Sequence, residues 1–356
     1  MKPIRVLVVD DSAFFRRRLA EALASEPGIE VVATASHGGI ALARIEQLCP
    51  DLVTLDVEMP EMDGLQTLTR IRERDPRLPV IMVSAKTAKA AESTIDALLR
   101  GASDYVTKPT ASEGGLGQLR DQLVAKVLRL CRKPEDKAPP GSAALPPVLE
   151  TAAPEAGPIE LVAIGASTGG PEALHTLFAA LPPRLPVPLV VTQHMPPMFT
   201  ASLAQRLTET SPVPTVEARD GLPLVPGHAY VAPGDWHLEV EARGMGLRAR
   251  LHQAAPQLSC RPSVDVLFDS IARPGGPRAL ALVLTGMGQD GLRGCRALRE
   301  RGAEIWVQDE ASSVVWGMPG NVARAGLASR ILPIGRIGPE LAARVAAPVR
   351  LERRCD

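Results

Sequence analysis

Short runs of branched apolar residues recur along the chain, each stopped by a polar residue and followed by a stretch with helical spacing. The first run, residues 4–9, stops at Asp10-Asp11, and helical spacing follows over 13–24. Residues 30–33 read as a strand and 39–48 as a helix. A third strand over 51–55 ends at Asp56, ahead of a helix over 64–72. A fourth over 79–83 is followed by Ser84 and a helix over 87–99. A short fifth strand over 103–106 runs toward Lys108-Pro109, and a last helix spans 116–131. Strands alternating with helices predict a parallel, doubly wound α/β sheet.

The pattern then breaks. Residues 132–157 are rich in Pro, Ala and Glu and have little apolar periodicity. Proline at this density favours an extended, semi-rigid spacer, which marks a domain boundary. Strand-like runs return at 160–164, 188–192, 278–284 and 304–307, with helical spacing at 171–180, 199–208, 263–271 and up to about 300. Between 228 and 252 apolar and polar residues alternate, which predicts an antiparallel hairpin beside a second doubly wound sheet. The expected domains are 1–131 and 158–350, joined by the linker 132–157.

Composition narrows the class. A chain of 356 residues holds about two domains. Aromatic residues make up only 3%, so the cores must be built from Leu, Val, Ile and Ala. The formal net charge is zero, and no basic stripe or helix-turn-helix pattern points to nucleic acid. The apolar runs are strand-length, too short for a membrane span or a signal-peptide core. Cysteines at 49, 131, 260, 295 and 355 are odd in number and lack metal-like spacing. Free thiols in a reducing cytoplasm are the expected state.

The polar residues fall where chemistry would. Asp10, Asp11, Asp56, Ser84 and Lys108 each lie just after a strand. In an open α/β sheet those ends share one crevice. An Asp after a strand is, singly, a turn residue. Together, three carboxylates repel one another and call for a cation, and oxygen-only donors suit Mg²⁺. Lys108 can meet a phosphoryl oxygen, and a carboxylate can itself be the nucleophile in phosphoryl transfer. Asp56, at the central strand end, is the best placed.

In the second half, residues 161–164 run into Gly165-Ala166-Ser167-Thr168-Gly169, a G-x-S-x-G string, and helical spacing opens at Pro171. Strand, glycine turn and helix form the setting of a nucleophile elbow. A serine and threonine that merely cap the helix are the plain alternative. His194 and Asp290 also follow buried strand runs. A hydroxyl, an imidazole and a carboxylate are what a serine esterase needs. Gly286, Met287 and Gly288 are candidate oxyanion-hole residues, because glycine leaves backbone N–H groups unobstructed. The chain order Ser, His, Asp differs from the Ser, Asp, His of α/β-hydrolases.

Residues 1–131 resemble response-regulator receiver domains, which implies a flavodoxin-like fold. The resemblance implies that Asp56 accepts a phosphoryl group from a sensor histidine kinase. It implies that Asp10, Asp11, Asp56 and the backbone carbonyl of Glu58 hold Mg²⁺. Ser84 then matches the phosphoryl-contacting hydroxyl, Tyr105 the switch aromatic and Lys108 the lysine of the K-P motif. The second half resembles the chemotaxis protein-glutamate methylesterases, through I-G-A-S-T-G-G-P at 164–171, T-Q-H-M-P at 192–196, R-P-S-V-D-V-L-F at 261–268 and L-T-G-M-G-x-D-G at 284–291. That resemblance implies a Rossmann-like domain with a Ser167, His194, Asp290 triad. The implied reaction hydrolyses glutamate γ-methyl esters on chemoreceptors, with deamidation of receptor glutamines beside it and no cofactor. Such an enzyme is cytoplasmic and peripheral to receptor arrays. The competing reading is a phosphorylation-dependent adaptor without catalysis, and a mass shift on Ser167 with a fluorophosphonate probe separates the two.

Overall fold

The structure is a computed structural model and describes residues 2–109, 115–131, 157–244 and 246–346. The chain divides into two compact units, residues 1–142 and 143–356. The expected linker, 132–157, lies outside the described residues apart from Gly157.

The first unit alternates β1 (Ile4–Val9), α1 (Ala13–Ala24), β2 (Ile29–Ala35), α2 (Gly38–Leu48), β3 (Leu52–Asp56), α3 (Gly64–Arg74), β4 (Val80–Ser84), α4 (Ala88–Leu99), β5 (Asp104–Thr107) and α5 (Leu116–Cys131). The strands form one parallel sheet in the order β2-β1-β3-β4-β5. Every residue of β3 and β4 is buried, as continuous apolar runs require when helices cover both faces. Side chains set the helix starts. Ser12, Asp63 and Thr87 accept the N–H groups of Phe15, Gln66 and Ala90, which would otherwise go unpaired. Val6, Val8, Leu19, Leu23, Leu52, Ile81, Val83 and Leu123 share one core cluster. The strand order reverses between β1 and β3, and ligands of such sheets bind at that crevice.

The second unit continues with β6 (Leu161–Ala166), α6 (Gly170–Ala179), β7 (Leu189–Gln193), α7 (Phe199–Thr210), β8 (Thr215–Glu217), β9 (Pro223–Leu224) and β10 (Ala229–Val231). Then come β11 (His237–Arg243), β12 (Gly246–His252), α8 (Val264–Ile271), β13 (Ala279–Val283), α9 (Leu292–Glu300), β14 (Glu304–Gln308), α10 (Met318–Arg324), β15 (Arg330–Leu332) and α11 (Ile334–Ala346). Seven strands make a sheet in the order β15-β14-β13-β6-β7-β10-β8, with every pairing parallel. Strands β11, β12 and β9 form a separate antiparallel sheet.

The fold is the parallel α/β class read from the sequence, with one adjustment. The hairpin is confined to β11 and β12, where His237 pairs with His252. Residues 229–231 instead join the parallel sheet, with Ala229 opposite Leu189. A three-residue strand is too short to display a period, so its sheet could not be read from alternation.

Candidate active site and phosphoacceptor site

Strand β6 lies mid-sheet with β13 on one side and β7 on the other, so the chain order reverses there. The three strands deliver Ser167, His194 and Asp290 to the same sheet end. Ser167 leaves β6 with its N–H donated to the Thr285 carbonyl at 3.0 Å. Gly169 then turns with φ 75°, a left-handed conformation that L side chains rarely adopt, and α6 opens with Pro171 in its first turn. Strands β6 and β7 pair in register up to Ala166 and Gln193, and the His194 N–H donates to the Ala166 carbonyl at 3.1 Å. His194 therefore emerges level with Ser167 on the adjoining strand. Gln193 steadies both, through Nε2 bonds to the Ser167 carbonyl at 2.9 Å and the His194 carbonyl at 3.4 Å.

His194 Nε2 lies 2.7 Å from Asp290 Oδ2. The Asp290 carboxylate is buried and heavily solvated by the protein. Ser263 Oγ, the Asp265 amide and the Gly291 amide donate to Oδ1 at 2.9, 3.0 and 3.0 Å, and the Val264 amide donates to Oδ2 at 2.7 Å. Burial alone would raise the carboxyl, but His194 and these amides outweigh it and hold Asp290 below the usual carboxylate range. On His194 burial disfavours the imidazolium, yet Asp290 and Cys260 together overcome it and push the imidazole up to about 10. Cys260 is the second neighbour of the ring, with Sγ 3.6 Å from Nδ1. Among the described residues no hydrogen bond joins Ser167 Oγ to His194. Such catalytic contacts are often open before substrate binds.

The oxyanion candidates divide. Gly286 packs against Ser167, and a Cβ there would lie 2.9 Å from Ser167 Cβ. Its N–H, however, donates to the Val315 carbonyl at 3.0 Å, so Gly286 is withdrawn as an oxyanion donor. The reason is a backbone bridge between residue 286 and the segment leading into α10. The Met287 and Gly288 amides make no backbone hydrogen bond among the described residues.

In the first unit, Asp10, Asp11 and Asp56 bring carboxylate oxygens within 4.8 Å of one another. Lys108 Nζ bridges two of them, at 2.9 Å from Asp10 and 2.7 Å from Asp56. Burial raises Asp56 to about 6, although Lys108 pulls the other way. The exposed Glu58 follows two residues after Asp56. Ser84, at the end of β4, is fully buried, and its hydroxyl lies 3.3 Å from the Ala90 carbonyl and 2.7 Å from Thr94 Oγ1. Tyr105 on β5 is buried, with Lys126 Nζ 5.8 Å from its ring centre. The Asp10, Asp11, Asp56 and Lys108 side chains thus meet at the strand-end crevice, whereas the Ser84 hydroxyl is tied to Ala90 and Thr94.

Comparison with known proteins places both units. Residues 162–341 match the CheB methylesterase family, and residues 6–119 match the response regulator receiver domain family. A protein-glutamate methylesterase/protein-glutamine glutaminase of a Nocardioides species is 49% identical over 97% of this chain and 96% of its own length. The chain belongs to the CheB methylesterase family. A relative of the same description from Trichodesmium erythraeum is 46% identical over 97% of this chain and all of its own. The crystal structure of the Thermotoga maritima CheB methylesterase catalytic domain superposes with a TM-score of 0.51 at 39% identity, over 52% of this chain and 98% of that one. The protein is accordingly a hydrolase that carries a receiver domain. Among the described residues no helix is long and apolar enough to cross a membrane.

Some site residues carried no sequence signal of their role. Gln193 and Ser263 stood inside quoted motifs, but nothing in the string told that one braces the Ser167 turn and the other anchors Asp290. Spacing alone makes Cys260 no more than a free thiol, because its contact with His194 spans 66 positions.

Proposed function

We propose that this chain hydrolyses glutamate γ-methyl esters on chemoreceptors and that phosphorylation of Asp56 raises that activity. The observation that carries the esterase reading is the 2.7 Å contact between His194 and a fully hydrogen-bonded Asp290, one strand away from Ser167. In this reading Asp290 keeps the proton on Nε2, leaving the Nδ1 lone pair to accept the Ser167 proton. Ser167 Oγ attacks the ester carbonyl, and the Met287 and Gly288 amides are the donors offered to the oxyanion. Imidazolium returns the proton to departing methanol, and water then cleaves the acyl-enzyme by the same route. With a glutamine side chain the same steps release ammonia, which accounts for deamidation.

The receiver crevice fits Mg²⁺, since its clustered donors are carboxylate oxygens and a hard cation offsets their mutual repulsion. Asp10, Asp11, Asp56 and the Glu58 carbonyl would hold it, and the cation would neutralise charge on the incoming phosphoryl group. Asp56 supplies the nucleophilic oxygen to a phosphodonor from a sensor kinase. Lys108 meets the phosphoryl oxygens, and Ser84 turns toward them from Ala90 and Thr94. Tyr105, on the adjoining strand, is the residue that senses this turn.

The direct test is methanol release from a methylated chemoreceptor by the purified full chain, with and without acetyl phosphate and Mg²⁺. Release that phosphodonor stimulates is expected, and a chain that binds receptor but yields no methanol would establish the adaptor reading instead. Asp56→Asn should keep the basal rate and lose the stimulation, because the amide has the shape but not the nucleophilic charge. Equal stimulation of this variant and wild type would remove Asp56 as the acceptor.

The raised imidazole also predicts a pH profile. Hydrolysis needs neutral His194, so the rate should climb with pH, along an acid limb lying above the ordinary histidine value of about 6.5. Cys260→Ser removes one of the two groups that favour the cation, so its limb should shift to lower pH. Superimposable limbs in the two proteins would show that Cys260 does not bear on the base.

A further inference from the structure

His194 has a neighbour that ester hydrolysis does not use. Cys260, half-buried, lies just ahead of Arg261 and places Sγ 3.6 Å from Nδ1. In a tetrahedral zinc site a thiolate sulfur at about 2.3 Å and an imidazole nitrogen at about 2.0 Å lie roughly 3.5 Å from each other. The two donors already have the separation of a chelating pair. Behind the ring, Asp290 Oδ2 stands 2.7 Å from Nε2. A carboxylate on the far nitrogen is the support that orients metal-bound histidines, fixing the tautomer and strengthening the donor. Asp290 is held there by Ser263, Val264, Asp265 and Gly291, so it backs the ring. The lone pair at Nδ1 consequently points toward the sulfur side.

We propose that Cys260 Sγ and His194 Nδ1 form a chelating site for a soft or borderline divalent cation, zinc above all, and that its occupation switches the esterase off. Water completes the coordination. As the metal binds, the thiol proton and the Nδ1 proton of the imidazolium both pass to solvent, so that the sulfur binds as thiolate and Nδ1 through its freed lone pair. That lone pair is the one Ser167 needs, so metal binding and proton acceptance exclude each other. The inhibitory part rests on His194 being the general base of the proposed reaction. Donor softness separates this site from the receiver crevice, whose oxygen-only set suits Mg²⁺ while a thiolate does not.

The test uses the full chain in excess Mg²⁺, which occupies the carboxylate crevice. Co²⁺ is titrated as a spectroscopic stand-in for zinc, and the thiolate-to-cobalt charge-transfer absorption is followed. In parallel, methanol release from methylated receptor is measured against added Zn²⁺, each protein normalised to its own metal-free rate. Wild type and Cys49→Ser, which removes an exposed thiol of the other unit, should both show the absorption band. Cys260→Ser and Cys260→Ala, checked for native circular dichroism, should lose it and need more than roughly 10-fold more Zn²⁺ for equal inhibition, since loss of even an outer-shell partner costs about that much. A band that persists in both Cys260 variants, or inhibition at unchanged Zn²⁺, overturns the site. A Cys260-dependent band without any loss of methanol release retains the metal site and overturns the role of His194 as base.

Discussion

Replacing Ser167 with alanine is expected to lower methanol release by roughly 10⁴-fold or more, with the fold intact. The size follows from the chemistry: without Oγ no acyl-enzyme forms, and only binding and oxyanion contacts remain to assist water. The fold should survive because the bonds that shape the turn are made by the backbone. The Ser167 N–H goes to Thr285 and its carbonyl receives Gly170 N–H at 2.8 Å and Gln193 Nε2 at 2.9 Å. None of these uses the hydroxyl. The half-exposed side chain also contributes little to the core. Methanol release, with unfolding midpoints measured beside it, reads both parts. A folded Ser167→Ala protein working within about tenfold of wild type would leave the nucleophile unassigned, since loss of a covalent nucleophile costs far more than that.

Why the site was legible in the string is itself physical. Strands β3, β4, β6, β7 and β13 are buried throughout, so they read as mainly apolar runs, interrupted only by Thr54 in β3 and Thr192 in β7, and polar residues at or just beyond the end of each run mark the strand end. In a doubly wound sheet those ends face a common crevice, so Asp10, Asp56, Ser167 and His194 could be placed from pattern alone. What pattern does not encode is which atoms meet across loops. Gly286 has the openness expected of an oxyanion donor, yet Val315 takes its N–H, and no periodicity connects residues 286 and 315. Cys260 is likewise brought to His194 by an irregular segment between β12 and α8. The three-residue strands β8 and β15 give no signal in the string, and the alternation over 228–252 assigns β10 to the hairpin, because so few positions cannot show a period of their own.

Asp290→Asn should combine a rate loss of roughly 10⁴-fold with a measurable loss of stability. The wild-type carboxylate accepts from five donors: Ser263, Asp265 and Gly291 at Oδ1, and Val264 and His194 at Oδ2. An amide has one acceptor oxygen and one donor nitrogen. Its better orientation keeps the oxygen at the Oδ1 position, where three donors are satisfied. The NH₂ group then faces the Val264 N–H and His194 Nε2. The imidazole can relieve this clash by moving its proton to Nδ1, so that Nε2 accepts from the amide. That tautomer has no lone pair on the side where the Ser167 proton must arrive, which is the origin of the rate loss. The Val264 N–H cannot adapt, and an unpaired buried donor at the first residue of α8 costs about 1–3 kcal/mol. Methanol release under saturating substrate and urea unfolding of the same preparation measure the two effects. A variant as stable as wild type but slow would place Asp290 in tautomer control alone. One that retains activity within about tenfold would remove it from the catalytic set, because an uncorrected tautomer is worth far more than a factor of ten.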